Sequence, residues 1–170
     1  MLYTIRKDKE YKKIVKDIFR NKEFKKICNI EHHGISRMEH SIKISYYSYK
    51  IAKKLGIDYV SVARGGLLHD FFLDGDERNN KRKFLDTFTH PKKALETAQN
   101  NFELNEIEKN IIISHMFPIY ISIPKYKESI LVNLVDNIVG FKEMAKGLGC
   151  KFKYRFNYTY VLLLLFITRQ

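Results

Sequence analysis

Cysteine and proline are both scarce in this chain of 170 residues. Two cysteines, Cys28 and Cys150, are too few for a disulfide-dense secreted scaffold or a Cys-rich zinc module. Three prolines and eight glycines punctuate the chain so thinly that long stretches keep an unbroken helical spacing. Long hydrophobic runs are missing too. The longest, residues 158–167, has ten residues, against the roughly 20 that a membrane-crossing helix needs. The opening MLYTIRKDKEYKK holds no apolar stretch of the kind a secretory signal carries, so a soluble cytoplasmic protein is expected. No P-loop, GxSxG, GxGxxG or CxxC motif occurs, which removes the commonest nucleotide-cradling, serine-hydrolase, dinucleotide-binding and redox readings.

Positive charge, by contrast, is in excess. Lys and Arg number 31 against 19 acidic residues, for a net +12 and a pI near 9.6. That balance suits polyanionic partners: nucleotides, nucleic acid or an acidic membrane surface. Apolar residues make up 45% of the chain and aromatics 14%, enough to fold one sizeable core. No repeat or linker divides the sequence, so residues 1–170 read as a single domain.

Helical spacing dominates. Tyr11, Ile14, Val15 and Ile18 mark a first amphipathic helix, and Ile44, Tyr47, Ile51 and Leu55 another, stopped by Gly56. Asp58 can cap the next helix, which runs to about Asp70. His90-Pro91 reads as a cap followed by proline in the first turn. Asn105 with Glu108 fits a capping box opening a helix through Ile107, Ile111 and His115. Residues 127–141 form another. Beyond residue 151, Phe152, Tyr154, Phe156, Tyr158 and Tyr160 alternate with polar residues as a strand would; the apolar run that follows fits a helix or a buried tail. The fold class expected is all-α.

Six residues carry the chemistry: His40, His69, Asp70, His90, His115 and Asp136. His40 lies one turn before the Ile44 stripe and His115 continues the Ile107–Ile111 stripe, so both should point inward. His69 shares a face with Val62 and Gly66. Asp136 sits in LVNLVDNIVG among apolar neighbours, where an unpaired carboxylate is costly and needs a cation or donors. Several helices each turning His or Asp inward is how a bundle builds a metal site. Each residue also has a plainer reading: a hydrogen-bonded core histidine, a cap at His90, a carboxylate paired with a buried cation at Asp136.

The motifs EHS at 39–41, GLLHD at 66–70, HP at 90–91, ISHM at 114–117 and LVDN at 134–137 fall in a specific order. That order, His, His-Asp, His, His, Asp over roughly residues 30–145, resembles the HD-domain superfamily of metal-dependent phosphohydrolases. The closest likeness is to its two-metal branch, which includes dinucleoside tetraphosphate hydrolases and cyclic-nucleotide phosphodiesterases. The resemblance implies an HD-domain helical bundle that hydrolyses a small phosphorylated substrate, nucleotide-like in kind. It further implies that His40, His69, Asp70 and Asp136 hold one divalent ion. Asp70 then bridges to a second ion held by His90 and His115. Imidazole and carboxylate ligands without thiolate favour Fe, Mn or a similar ion over structural zinc. Two such ions about 3.5–4 Å apart can activate a water and clamp a phosphate oxygen, which makes Asp70 catalytic as well as a ligand.

Where many superfamily members have Lys or Glu three residues past the HD aspartate, this chain has Leu73. Asp74 or Asp76 can serve as the proton donor instead, or can simply form a polar turn around Gly75. Arg37, one turn before His40, and Lys81 and Arg82 in NNKRK are candidates to grip phosphate; each can equally be a solvated surface residue. His32 and His33 have no ligand role in this scheme. Gly65 and Gly66 inside a helix each cost about 1 kcal/mol against Ala, which close helix packing beside the ligands would explain. Two rival functions remain: a nucleotide-sensing domain without turnover, motivated by Leu73, and binding to RNA or an anionic membrane. The latter rests on the first 30 residues, where ten Lys and Arg face four Asp and Glu.

Overall fold

A computed structural model of the chain describes residues 5, 7–32, 35–73 and 80–147. The ambiguous segment beyond residue 151, the apolar run, Cys150, His33, Asp74 and Asp76 lie outside the described residues. Eight α-helices are present among those described: α1 (Lys9–Ile14), α2 (Lys16–Arg20), α3 (Lys22–Lys25), α4 (Arg37–Leu55), α5 (Tyr59–Leu68), α6 (Asn80–Asn101), α7 (Glu106–Ser114) and α8 (Lys127–Gly147). A 3₁₀ turn at Lys26–Asn29 leads into a two-residue antiparallel pair, β1 (Glu31–His32) with β2 (Ile35–Ser36). The fold is all-α in everything that forms its core.

Local chemistry sets most boundaries. The Ser36 hydroxyl accepts from Glu39 N to start α4, and Gly56, at φ 68°, ends it in the left-handed conformation that disfavours side chains. Asp58 accepts from the amides of Val60 and Ser61 to open α5. Asn105 and Glu108 form the expected reciprocal capping box of α7.

Helix α5 is the centre of the bundle, packed on α4 and α7, while α8 closes against α4 and α7. Gly65 and Gly66 are what let α5 lie there. A Cβ on Gly65 would come within 2.9 Å of Ile111 on α7, and one on Gly66 within 3.1 Å of the Ser45 Cα on α4. Ile44, Val62, Ile111, Val132 and Val135 fill the space between these four helices. A second cluster, including Tyr11, Ile18, Phe24, Leu67 and Phe71, joins α1–α3 to α4, α5 and α6. Arg64 reinforces that join: it donates to Asp17 of α2 and to Glu108 of α7, each at 2.8 Å.

Four details differ from the sequence reading. The first helix is broken at Val15 into α1 and α2, although Tyr11, Val15 and Ile18 are all buried as the spacing implied. Tyr47, Ile51 and Leu55 are exposed; the inward face of α4 is instead His40, Ser41, Ile44, Ser45, Ser48 and Ala52. Small serines took those positions because α5 approaches so closely there, and a hydropathy stripe does not register them. His90 and Pro91 lie inside α6 rather than at its start, although an interior proline forfeits one helix hydrogen bond and crowds the carbonyl of the preceding turn. Helix α8 continues past residue 141 to Gly147.

Candidate metal centre

All six candidate residues converge where the C-terminal ends of α5 and α7 meet the sides of α4, α6 and α8. His69 is the C-cap of α5 and Asp70 follows it; His115 is the C-cap of α7. His40 comes from the first turn of α4, His90 from within α6 and Asp136 from within α8. Their donor atoms form two groups, His40, His69 and Asp136 in one and Asp70, His90 and His115 in the other, each within 4.8 Å. In the first, His40 Nε2 lies 3.0 Å and His69 Nε2 3.8 Å from Asp136 Oδ1. In the second, His90 Nε2 and His115 Nε2 are 3.0 Å apart and each is 3.5 Å from Asp70 Oδ1. The other Asp70 oxygen, Oδ2, lies 3.6 Å from His69 Nε2, so one carboxylate faces both groups.

These separations fit a cation. An octahedral ion with ligands about 2.1 Å away keeps neighbouring donors about 3 Å apart. The tautomers fit as well. His69 Nδ1 is 2.9 Å from Gly66 O and His115 Nδ1 is 2.7 Å from Ile112 O. A carbonyl can only accept, so both Nδ1 atoms carry hydrogen, and each ring when neutral turns an Nε2 lone pair inward. His69 Nε2 is fully buried and has no hydrogen-bond partner among the described residues. Leaving such an atom unmatched is costly, and a divalent ion is what would satisfy it.

Charge in the centre follows the same arrangement. Burial works against a charged His40, but hydrogen bonds that it donates to Asp136 and Glu143 outweigh it and raise the imidazole to about 10. Burial lowers His69, with Asp70 and Asp136 opposing. Asp70 and Asp136 resist the upward push of burial and stay below the usual carboxylate range because imidazoles surround them.

The phosphate candidates have different surroundings. Arg37 is only 5% exposed. Its guanidinium donates to Phe72 O at 2.7 Å and lies 3.9 Å over the Phe72 ring, whose other neighbour is the stacked ring of His90. It therefore braces His90 through Phe72. Lys81 and Arg82 fall in the first turn of α6, where the described side chains begin only at Thr89. Of the two unassigned histidines, His32 belongs to β1.

One residue of the centre had no place in the sequence reading: Glu143, whose Oε2 lies 2.8 Å from His40 Nδ1. Its signal was its position seven residues after Asp136, on the same side of α8. Ending that helix near residue 141 hid it. Asn133 was missed likewise; its amide donates to the carbonyls of His115 and Phe117 and fixes the end of α7 beside the ligands.

An all-helical bundle with paired His and Asp groups at its centre defines the class, a helical domain with a candidate metal centre. The HD domain family matches residues 37–140, and the chain belongs to that family. No curated protein and no solved structure matches the chain. The matched region holds all six candidate ligands, while Glu143 lies just beyond it.

Proposed function

We propose that the chain is a metal-dependent phosphohydrolase that cleaves a phosphoester or phosphoanhydride bond of a small nucleotide-like substrate. The observation that carries this reading is the Asp70 carboxylate, set between two His-rich groups, one of which contains a buried histidine nitrogen without a partner. His40, His69 and Asp136 would hold one divalent ion and His90 and His115 a second, with Asp70 shared between them. Fe or Mn suits this donor set. Bound there, such ions would supply Lewis-acid activation of water and of a phosphate oxygen. The chain's own part is placement. His69 and His115 are locked in the Nε2-inward tautomer by carbonyls of their own helices, and Asp70 keeps its charge despite burial. Arg37 and Phe72 fix the ring of His90. Asp74 is our candidate proton donor, and Lys81 and Arg82 our candidate phosphate contacts beside Arg37, on a single domain acting in the cytoplasm.

Metal analysis of the purified protein, with a panel of nucleotides and dinucleoside polyphosphates supplied with Mn²⁺ or Fe²⁺, tests the proposal. Bound metal and product release from at least one nucleotide are expected. A protein that takes up no metal and is inactive across the panel would overturn it. Leu73, 39% exposed where relatives in the superfamily often carry Lys or Glu, favours a second reading, a domain that binds nucleotide without turning it over. Tight nucleotide binding with no product after long incubation with metal would select that one.

A further inference from the structure

We propose that Glu143 is the positioning residue of the first metal group, holding His40 in the tautomer that offers Nε2 to a divalent cation. The proposal rests on the metal-centre reading above and adds to it a residue outside the matched family region.

The three buried histidines of this centre, His40, His69 and His115, must each present Nε2 inward, which requires a hydrogen on Nδ1 and an acceptor for it. His69 and His115 are C-caps. The last carbonyls of a helix have no amide partner of their own, so Gly66 O and Ile112 O, each three residues earlier, are available to accept. His40 is at the opposite end of its helix. In the first turn the unsatisfied groups are amides, and the carbonyls are already taken up by the helix. A first-turn histidine is therefore not served as a C-cap histidine is, and its tautomer can be fixed by a side chain from elsewhere.

Glu143 provides it. The carboxylate is only 8% exposed, reaches His40 from α8, and accepts from Nδ1 at 2.8 Å. Its second oxygen, Oε1, accepts from Lys43 Nζ at 3.0 Å, and Lys43 is in turn held by Glu39 at 2.9 Å. His40 and Lys43 are three residues apart on one face of α4, so both oxygens of Glu143 are committed to that face. A carboxylate fixed at both oxygens defines the plane and direction of the imidazole it receives. Carboxylates that accept from the outer nitrogen of a ligating histidine set ring orientation and basicity, and their loss typically weakens metal binding about 10–100-fold.

A purely structural role, an ion pair pinning α8 to α4, predicts something different, and three variants of the full chain separate the two. Zinc uptake is measured by competition with a chromophoric chelator, alongside thermal melting of the metal-free protein. Glu143→Ala should weaken one of two zinc equivalents by about 10–100-fold and leave the other unchanged. Glu143→Gln, whose amide oxygen can still accept from Nδ1, should keep that equivalent within a few-fold of the parent. Lys43→Met, which removes the ion pair but not the acceptor, should behave like Glu143→Gln. If Lys43→Met loses as much affinity as Glu143→Ala, or if Glu143→Ala binds both equivalents like the parent, the positioning role is overturned. A readout independent of any variant's folding is the ¹⁵N spectrum of the zinc-loaded parent. There His40 should carry its hydrogen on Nδ1, and hydrogen on Nε2 would overturn the proposal. A parent chain that takes up no zinc would instead overturn the metal-centre reading itself, a different result from Glu143→Ala matching a zinc-binding parent.

Discussion

The two halves of the centre are built from the same residue types but held in different ways. His40, His69 and Asp136 come from α4, α5 and α8, helices packed directly on one another, and His40 is clasped on both ring nitrogens. In the other group Asp70 and His115 sit at the ends of α5 and α7, and only His90 comes from α6, 12% exposed with a stacked Phe72 as its support. The first half is a rigid, carboxylate-rich pocket. The second pairs two histidines with a single carboxylate. Affinity should therefore be stronger and more sensitive to substitution in the first half.

Asp70 is the point where the comparison should vanish, because its two oxygens face both halves. Asp70→Ala is expected to abolish binding of both ions and to reduce kcat/KM by at least about a thousandfold, roughly 4 kcal/mol of transition-state stabilisation. Metal content and steady-state kinetics of the variant check this together. Substantial activity with Asp70 gone would refute its shared role.

Single-half substitutions should then pull the two apart. His40→Ala or Asp136→Ala should empty the first half, with a loss of activity near that of Asp70→Ala. His90→Ala should cost less, about 10–100-fold, since water can take the place of one partly exposed ligand. Metal stoichiometry falling from two to one for His40→Ala and Asp136→Ala, but only a weakened second equivalent for His90→Ala, is the measurement. An equal loss for His40→Ala and His90→Ala would mean that the halves do not differ in the way their packing suggests.

Much of this was readable before the structure, and what was missed has a physical pattern. Caps at Asp58, Asn105 and Gly56 and the ligand order from His40 to Asp136 are local or motif-borne, and a linear sequence displays them directly. Gly65 and Gly66 announced close packing by their helix cost alone. The inward serines of α4 did not, since Ser41, Ser45 and Ser48 look polar until α5 is known to press against them. His90 was misplaced at a helix start because proline's first-turn preference was stronger than the weak signal from residues 80–89. Glu143 was missed for the same reason in reverse: the helix carrying it outlasts its apolar stripe.

pH gives a further way to sharpen the contrast. In the metal-free protein His40 is raised to about 10, so its contribution to stability is complete below its ordinary value near 6.5 and is lost as pH climbs through 10. Asp136 and Asp70 are lowered; their contribution is complete above about 4 and lost in acid. His69 is lowered and works the other way, its penalty on the fold in acid fading as pH rises towards about 6.5 and gone above it. Metal at His40 must displace its Nε2 proton, so affinity at the first half should rise about tenfold per pH unit between about 7 and 9. Chelator competition at several pH values tests this, and His40→Ala should remove the alkaline loss of metal-free stability. A first half whose affinity is flat over this range would sink the prediction.

The smallest and most selective effects should come from the two glycines of α5, which face opposite halves. A methyl group on Gly65 would press Ile111, one turn before His115, and so push α7 and the second half outward. On Gly66 it would press the backbone of Ser45, just over one turn past His40, and so push α4 and the first half. Overpacking of this kind costs about 1–3 kcal/mol, against which the helix regains about 1 kcal/mol on replacing glycine. Each Ala variant should therefore be less stable than the parent by about 0–2 kcal/mol in urea unfolding. The metal sites should respond in mirror image: Gly65→Ala weakens the second equivalent several-fold and spares the first, and Gly66→Ala does the reverse. If both variants weaken the same equivalent, the two halves move as one body, and the independence inferred from their separate helices is wrong.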